Sequence, residues 1–169
     1  MEFTVVQGDI AERSADVLVN AAGTSLRMGS GVAGALRRGA GPGINGEAVS
    51  KGPVDLGGTA VTDAYDLDAE IVIHAAAMPH YGDGKATPAS VRLATHNALK
   101  RADREGYRSL VMPALGCGVA GFDLERGARI ISEEIDAFSL ETLSDVRFIA
   151  YGADAAETVR RVAAEGRPG

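Results

Sequence analysis

The sequence predicts an α/β protein, a three-layer α/β/α sandwich around a central mixed sheet of about six strands. Three observations point there. Short apolar runs recur along the chain, segments of helical periodicity separate most of them, and 169 residues suffice to cover a sheet on both faces. Residues 1–165 are expected to form one domain, followed by a short tail at 166–169 that frays.

The strand-like runs are Phe3–Gln7, Asp16–Ala21, Thr59–Ala64, Glu70–Ala75, Ser109–Met112 and Val146–Tyr151. Each is rich in Val, Ile, Leu or an aromatic and bounded by Gly, Asp or other polar residues. Val17-Leu18-Val19 and Ile71-Val72-Ile73 are apolar without alternation, the pattern of strands buried on both faces. A short helix is expected over Val32–Arg38, ending near Gly39. A longer one runs from Thr87 to about Glu105, with Val91, Ala94, Ala98 and Leu99 inward and Gly106 as its stop. A third begins at Asp123, with Ala128, Ile131 and Ile135 inward and Glu133-Glu134 outward. The last covers Asp154–Glu165 and turns Thr158, Val159 and Val162 to the sheet.

Composition narrows the function classes. A formal charge of −6 argues against broad electrostatic binding of nucleic acid, although helix N-termini and backbone amides can still hold one anionic ligand. One cysteine, Cys117, leaves no internal disulfide and no cysteine-rich metal site. No signal peptide or apolar run of membrane-spanning length is visible, so the default expectation is a cytoplasmic protein. His80 and His96 lack ligand-like spacing, and no metal or other cofactor is expected. Arg37-Arg38, Arg101, Arg104, Arg126 and Arg129 read as solvated helix faces.

Glycine carries the strongest signal. The pattern G-x-G-V-A-G occurs twice, at Gly29-Ser30-Gly31-Val32-Ala33-Gly34 and at Gly116-Cys117-Gly118-Val119-Ala120-Gly121. Each copy follows an expected strand and precedes an expected helix. Such loops let backbone N–H groups approach phosphates closely, and two of them suit a ligand with two phosphates. Turns alone are the competing reading. A dinucleotide-binding Rossmann motif fits poorly. The first copy lies eight residues beyond Ala21, and the strand after the second copy reaches no acid until Asp154.

With Gly8-Asp9-Ile10, Asp16–Ala22, Val72-Ile73-His74-Ala75 and Pro113-Ala114-Leu115 in this order around the two glycine copies, the chain resembles the macro domain family from about Glu2 to about Val162. The resemblance implies binding of ADP-ribose, or of mono-ADP-ribosyl groups on proteins. It implies that Asp9 accepts from the adenine amino group, where the competing reading is a turn cap, and that Ile10 flanks the base. Tyr151 resembles the aromatic that stacks on adenine in some members, with a core tyrosine as the alternative. Asn20 resembles the strand-end asparagine near the distal ribose, though loop backbone could also satisfy its amide. Gly29, Ser30, Gly31, Val32, Gly116, Cys117, Gly118, Val119, Ala120 and Gly121 correspond to the diphosphate loops. His74 matches a structural position, and Cys117 a position usually filled by a small residue.

The departures bear on turnover. Hydrolytic members read N-A-A-N where this chain has Asn20-Ala21-Ala22-Gly23, and one hydrolase group has Asp where this chain has Ala33. The aromatic that packs on the distal ribose is replaced by Ala120, with Phe122 two residues on as a substitute. Losing one ligand hydrogen bond weakens binding by about 0.5–2 kcal/mol, whereas misplacing a reacting group can cost on the order of a hundredfold in rate. Binding is therefore the first expectation. The alternative is a hydrolase that releases ADP-ribose from proteins or dephosphorylates ADP-ribose-1″-phosphate.

Overall fold

The structure, a computed structural model, describes residues 2–80, 84–117 and 121–166. Six strands form one mixed sheet: β1 (Thr4–Gln7), β2 (Val17–Gly23), β3 (Thr59–Asp63), β4 (Ile71–Met78), β5 (Ser109–Met112) and β6 (Asp145–Ala150). Their spatial order is β1-β6-β5-β2-β4-β3. All neighbours run parallel except β3, which pairs antiparallel with β4 and closes one edge. The sheet is thus mixed and six-stranded, as the sequence predicts.

Five helices cover it: α1 (Gly31–Ala40), α2 (Gly43–Ser50), α3 (Pro88–Arg104), α4 (Leu124–Ala137) and α5 (Ala153–Glu165). The strands' period of two sorts their apolar side chains into two cores. Val17, Val19, Ile73, Leu110, Met112 and Phe148 pack under α3, α4 and α5, while Leu18, Ala22, Val72, Val111 and Ile149 pack under α1 and α2. Unbroken apolar runs such as Val17-Leu18-Val19 supply both layers at once.

Helix ends follow local chemistry. Thr87 and Ser90 exchange hydrogen bonds in a capping box at the start of α3, with Pro88 in its first turn. The Asp123 carboxylate accepts from Arg126 N at the start of α4. Two inward assignments need correction. Thr158 is only half-buried and its hydroxyl turns back to the Asp154 carbonyl, so Ala156 and Ala163 join Val159 and Val162 at the sheet instead. Glu134 does not point outward with Glu133; it packs toward α3, where it meets Arg92 and His96. The helix α2 and a single 3-10 turn at Ile10–Glu12 have no counterpart in the sequence reading. Among the described residues no helix is long and apolar enough to cross a membrane.

Candidate functional site

A cleft of about 740 Å³ opens at the carboxyl ends of the parallel strands. Gly8 after β1, Ala21 and Ala22 of β2, Met78 of β4, Pro113 and Ala114 after β5, and Ile149–Tyr151 at the end of β6 form its floor and walls. Strand carboxyl ends in open α/β sheets are where crossover loops diverge and leave room for a ligand. This volume is that of small-molecule and cofactor sites.

One wall is the start of α1. Ser30, Gly31, Val32, Ala35 and Arg38 all line the cleft. Ser30 is the N-cap residue but makes no side-chain cap hydrogen bond, and Gly31 enters the helix with φ +62°, a conformation that glycine adopts without penalty. The first amides of this helix therefore end on the cleft with no side chain covering them, and they carry the helix's partial positive charge. The N-terminus of α5, at Gly152, also lacks a side-chain cap and lies beside cleft residues Tyr151 and Ala155.

Asp9 lines the cleft beside Ile10. Its Oδ1 accepts from Ala11 N at 2.9 Å and caps the 3-10 turn, so the turn-cap role is real. Its second oxygen makes none of the described hydrogen bonds. Ile10 is buried and forms the underside of this corner. Tyr151 is 81% exposed at the cleft edge, one residue past β6, which excludes the core-tyrosine reading.

The second glycine copy behaves differently. Gly116 lines the cleft with its backbone, but a Cβ there would stand 2.7 Å from the Cβ of Ala86, and its φ is +76°. Its missing side chain thus serves packing against the segment before α3. Cys117 also lines the cleft, while its sulfur lies on Gly127 of α4, 2.5 Å from where a Cβ would sit. Burial, then the nearby Asp123 carboxylate, pushes the thiol up to about 11, so it stays protonated and non-nucleophilic at neutral pH. Gly118, Val119 and Ala120 lie outside the described residues.

Three expected positions do not reach the cleft. Asn20 is fully buried on the α1/α2 face of the sheet, opposite His74 in register. Its Nδ2 lies 2.9 Å from His74 Nδ1, and His74 Nε2 lies 3.0 Å from Thr62 Oγ1, so the amide belongs to a row of polar groups inside the sheet layer. Burial holds His74 down at about 4 and therefore neutral near pH 7. In that form the row runs consistently from the Asn20 amide to Nδ1, from Nε2–H to Thr62 Oγ1, and from that hydroxyl to the Asp63 carbonyl. Gly29 does not line the cleft; its carbonyl oxygen lies 3.2 Å from where a Gly34 Cβ would be. Gly121, at φ +75°, also lies off the lining. Phe122 is no substitute at the cleft: it pairs with Cys117 in an isolated bridge and packs on α4 under the Arg126 guanidinium.

Gly23 explains part of the departure noted in the sequence. The β2–β4 register shifts between Ala22 and Gly23, and a Cβ at Gly23 would stand 3.0 Å from the Pro79 carbonyl oxygen. The backbone after β4 occupies the space into which a side chain at 23 would begin. Arg38 is the residue that sequence reasoning missed. Its i−4 relation to Gly34, a position with no Cβ, was the signal that could have found it. Among the described residues no cluster of three His, Cys, Asp or Glu side chains is placed to hold a metal.

The comparisons agree with this architecture. The family model for the Macro domain matches residues 19–131. An uncharacterised protein of Mycobacterium tuberculosis is 38% identical over 157 residues, covering 93% of this chain. The chain spans 43% of that relative's length, less than half. A protein of Klebsiella pneumoniae named O-acetyl-ADP-ribose deacetylase is 34% identical over 166 residues, covering 95% of each chain. The solved macrodomain of Trypanosoma brucei in complex with ADP-ribose superimposes with a TM-score of 0.82 at 27% identity, covering 93% of this chain and 67% of that one.

Proposed function

The chain belongs to the macro domain family, and on that premise we propose that its cleft binds ADP-ribose, free or as a mono-ADP-ribosyl group on a protein. The observation that carries the reading is the start of α1, an uncapped helix N-terminus entered through Gly31 and opening on the cleft that Asp9, Gly116 and Cys117 also line. Exposed amides and the helix dipole suit a diphosphate. Asp9, with one carboxylate oxygen uncommitted, suits the adenine amino group, and exposed Tyr151 suits its face. The solved relative with ADP-ribose bound supports the same ligand class.

A second reading, hydrolysis of an ADP-ribosyl ester, is favoured by the deacetylase relatives. Against it stands Gly23, which offers no side chain to position a distal ribose. Reader and enzyme separate in one experiment. A carrier protein bearing labelled, glutamate-linked mono-ADP-ribose is mixed with excess domain. Co-migration with the label retained is expected; release of free ADP-ribose would make the protein a hydrolase, and neither outcome together with no binding of free ADP-ribose would overturn the ligand assignment.

A further inference from the structure

The cleft lining carries one cationic side chain, Arg38, among the described residues. It makes no hydrogen bond and no ion pair among them, in a protein where Arg92, Arg101, Arg129, Arg147 and Arg161 all engage carboxylates. Its neighbour Arg37 is tied to the Met28 carbonyl at 3.0 Å, so the two consecutive arginines have separate fates.

The direction in which Arg38 lies is set by Gly34. Helical side chains lean toward the N-terminus and cover the turn before their own. One turn back from Arg38 is Gly34, and Arg38 Nη1 lies 3.2 Å from where a Gly34 Cβ would be, closer than an ordinary contact. The Gly29 carbonyl oxygen borders the same point at 3.2 Å. A side chain at 34 would crowd the guanidinium away. With glycine there, the guanidinium lies over Gly34 near the Gly29 carbonyl, in the turn that starts α1, and Arg38 lines the cleft.

We propose that Arg38 is a ligand-binding residue of the cleft, whose guanidinium adds a full positive charge beside the uncapped start of α1 and engages the ligand's diphosphate. This rests on the ADP-ribose reading and deepens it. Backbone amides hold phosphate oxygens by geometry with only partial charge, while a guanidinium adds charge-assisted bonds that strengthen at low salt. An unpaired arginine also sacrifices no existing ion pair when the ligand arrives.

The test compares wild type, Arg38→Gln and Arg38→Lys by calorimetric titration with ADP-ribose in low and high salt. Thermal unfolding midpoints serve as a control, and they should coincide because the side chain has no partner to lose. Arg38→Gln is expected to bind about tenfold more weakly in low salt. The gap should narrow in about 1 M salt, where charges are screened within a few ångströms. Arg38→Lys should recover part of the loss. Unchanged affinity in Arg38→Gln, or a loss of the same size at both salt concentrations, overturns the role while leaving the ADP-ribose reading in place. A wild type that does not bind ADP-ribose overturns both.

Discussion

Two stretches of this protein carry the same letters, G-x-G-V-A-G, and their described residues meet the following helices differently. At Gly29–Gly34 the pattern runs directly into α1, and its last four residues are already helical. In the second copy, of which Gly116, Cys117 and Gly121 are described, Cys117 pairs with Phe122 in a bridge and α4 starts at Leu124, beyond the pattern. The residues that follow decide the difference. Ala35-Leu36-Arg37-Arg38 continues a helix at once, whereas Phe122 anchors on α4 and Asp123 fixes the N-cap by accepting from Arg126 N. The first copy therefore leaves helix amides to the cleft. In the second, a carboxylate of the chain itself takes up such a group. A glycine motif permits close approach, and cap placement decides whether anything is left to approach.

The comparison breaks most visibly at its glycines. Val at Gly31 would force a β-branched residue to φ +62° and fill the mouth of α1. ADP-ribose affinity is expected to fall about a hundredfold, ~2.7 kcal/mol, while the ~1–3 kcal/mol of backbone strain appears separately as lost stability. Gly116→Ala should act the other way. Contact with Ala86 and φ +76° lower unfolding stability by about 2–3 kcal/mol, measured by denaturant titration, with a smaller effect on affinity per folded molecule. Gly31→Val with normal binding would show that this end of α1 faces no ligand.

Exchanging the caps tests the same contrast at intermediate size. Ser30→Asp gives α1 the carboxylate cap that α4 already has. The helix should gain about 0.3–1 kcal/mol, while ADP-ribose affinity drops about tenfold because a carboxylate now competes with phosphate for the amides. The companion Asp123→Ala should cost about 1 kcal/mol of stability and leave binding in place. Undiminished binding by Ser30→Asp would remove the anion site from α1.

Cys117 is expected to give the smallest effect. Cys117→Ala should alter affinity by less than about twofold, the range of substitutions that break no named interaction. Its thiol, raised to about 11, should react with iodoacetamide on the order of a hundredfold more slowly at pH 8 than an exposed thiol, accelerating up to about pH 11. Rapid labelling at pH 7 would mean the sulfur does not rest on Gly127 and that a nucleophile stands in the cleft.

Much of the site was legible because its signals are local. Asp9 after Gly8, Ser30-Gly31-Val32 of the first copy and Tyr151 at a strand end line the cleft, since strand ends and helix starts are written in short stretches of sequence. Asn20 was misplaced for a reason that local reading misses. The strand β2 runs on to Gly23, so Asn20 lies inside the sheet opposite His74 rather than at its end. The helix α2 escaped notice because Gly43-Ile44-Asn45-Gly46 has poor helix formers, and long-range contacts hold it to the sheet: buried Ile44 and Ala48, four apart, and Glu47 accepting from Asp63 N of β3.

By itself the sequence determined the layered α/β class, the two cores and the existence of glycine-lined helix starts, because period-two runs and caps act over a few residues. Tertiary structure alone decided that the first glycine pattern brings an uncapped helix start to the cleft, while Gly116 of the second packs against Ala86. It also placed Arg38 along α1 over Gly34 and set Pro79 against Gly23. Those outcomes depend on distances between segments far apart in the chain or on the space that a missing Cβ leaves, and no local pattern encodes either.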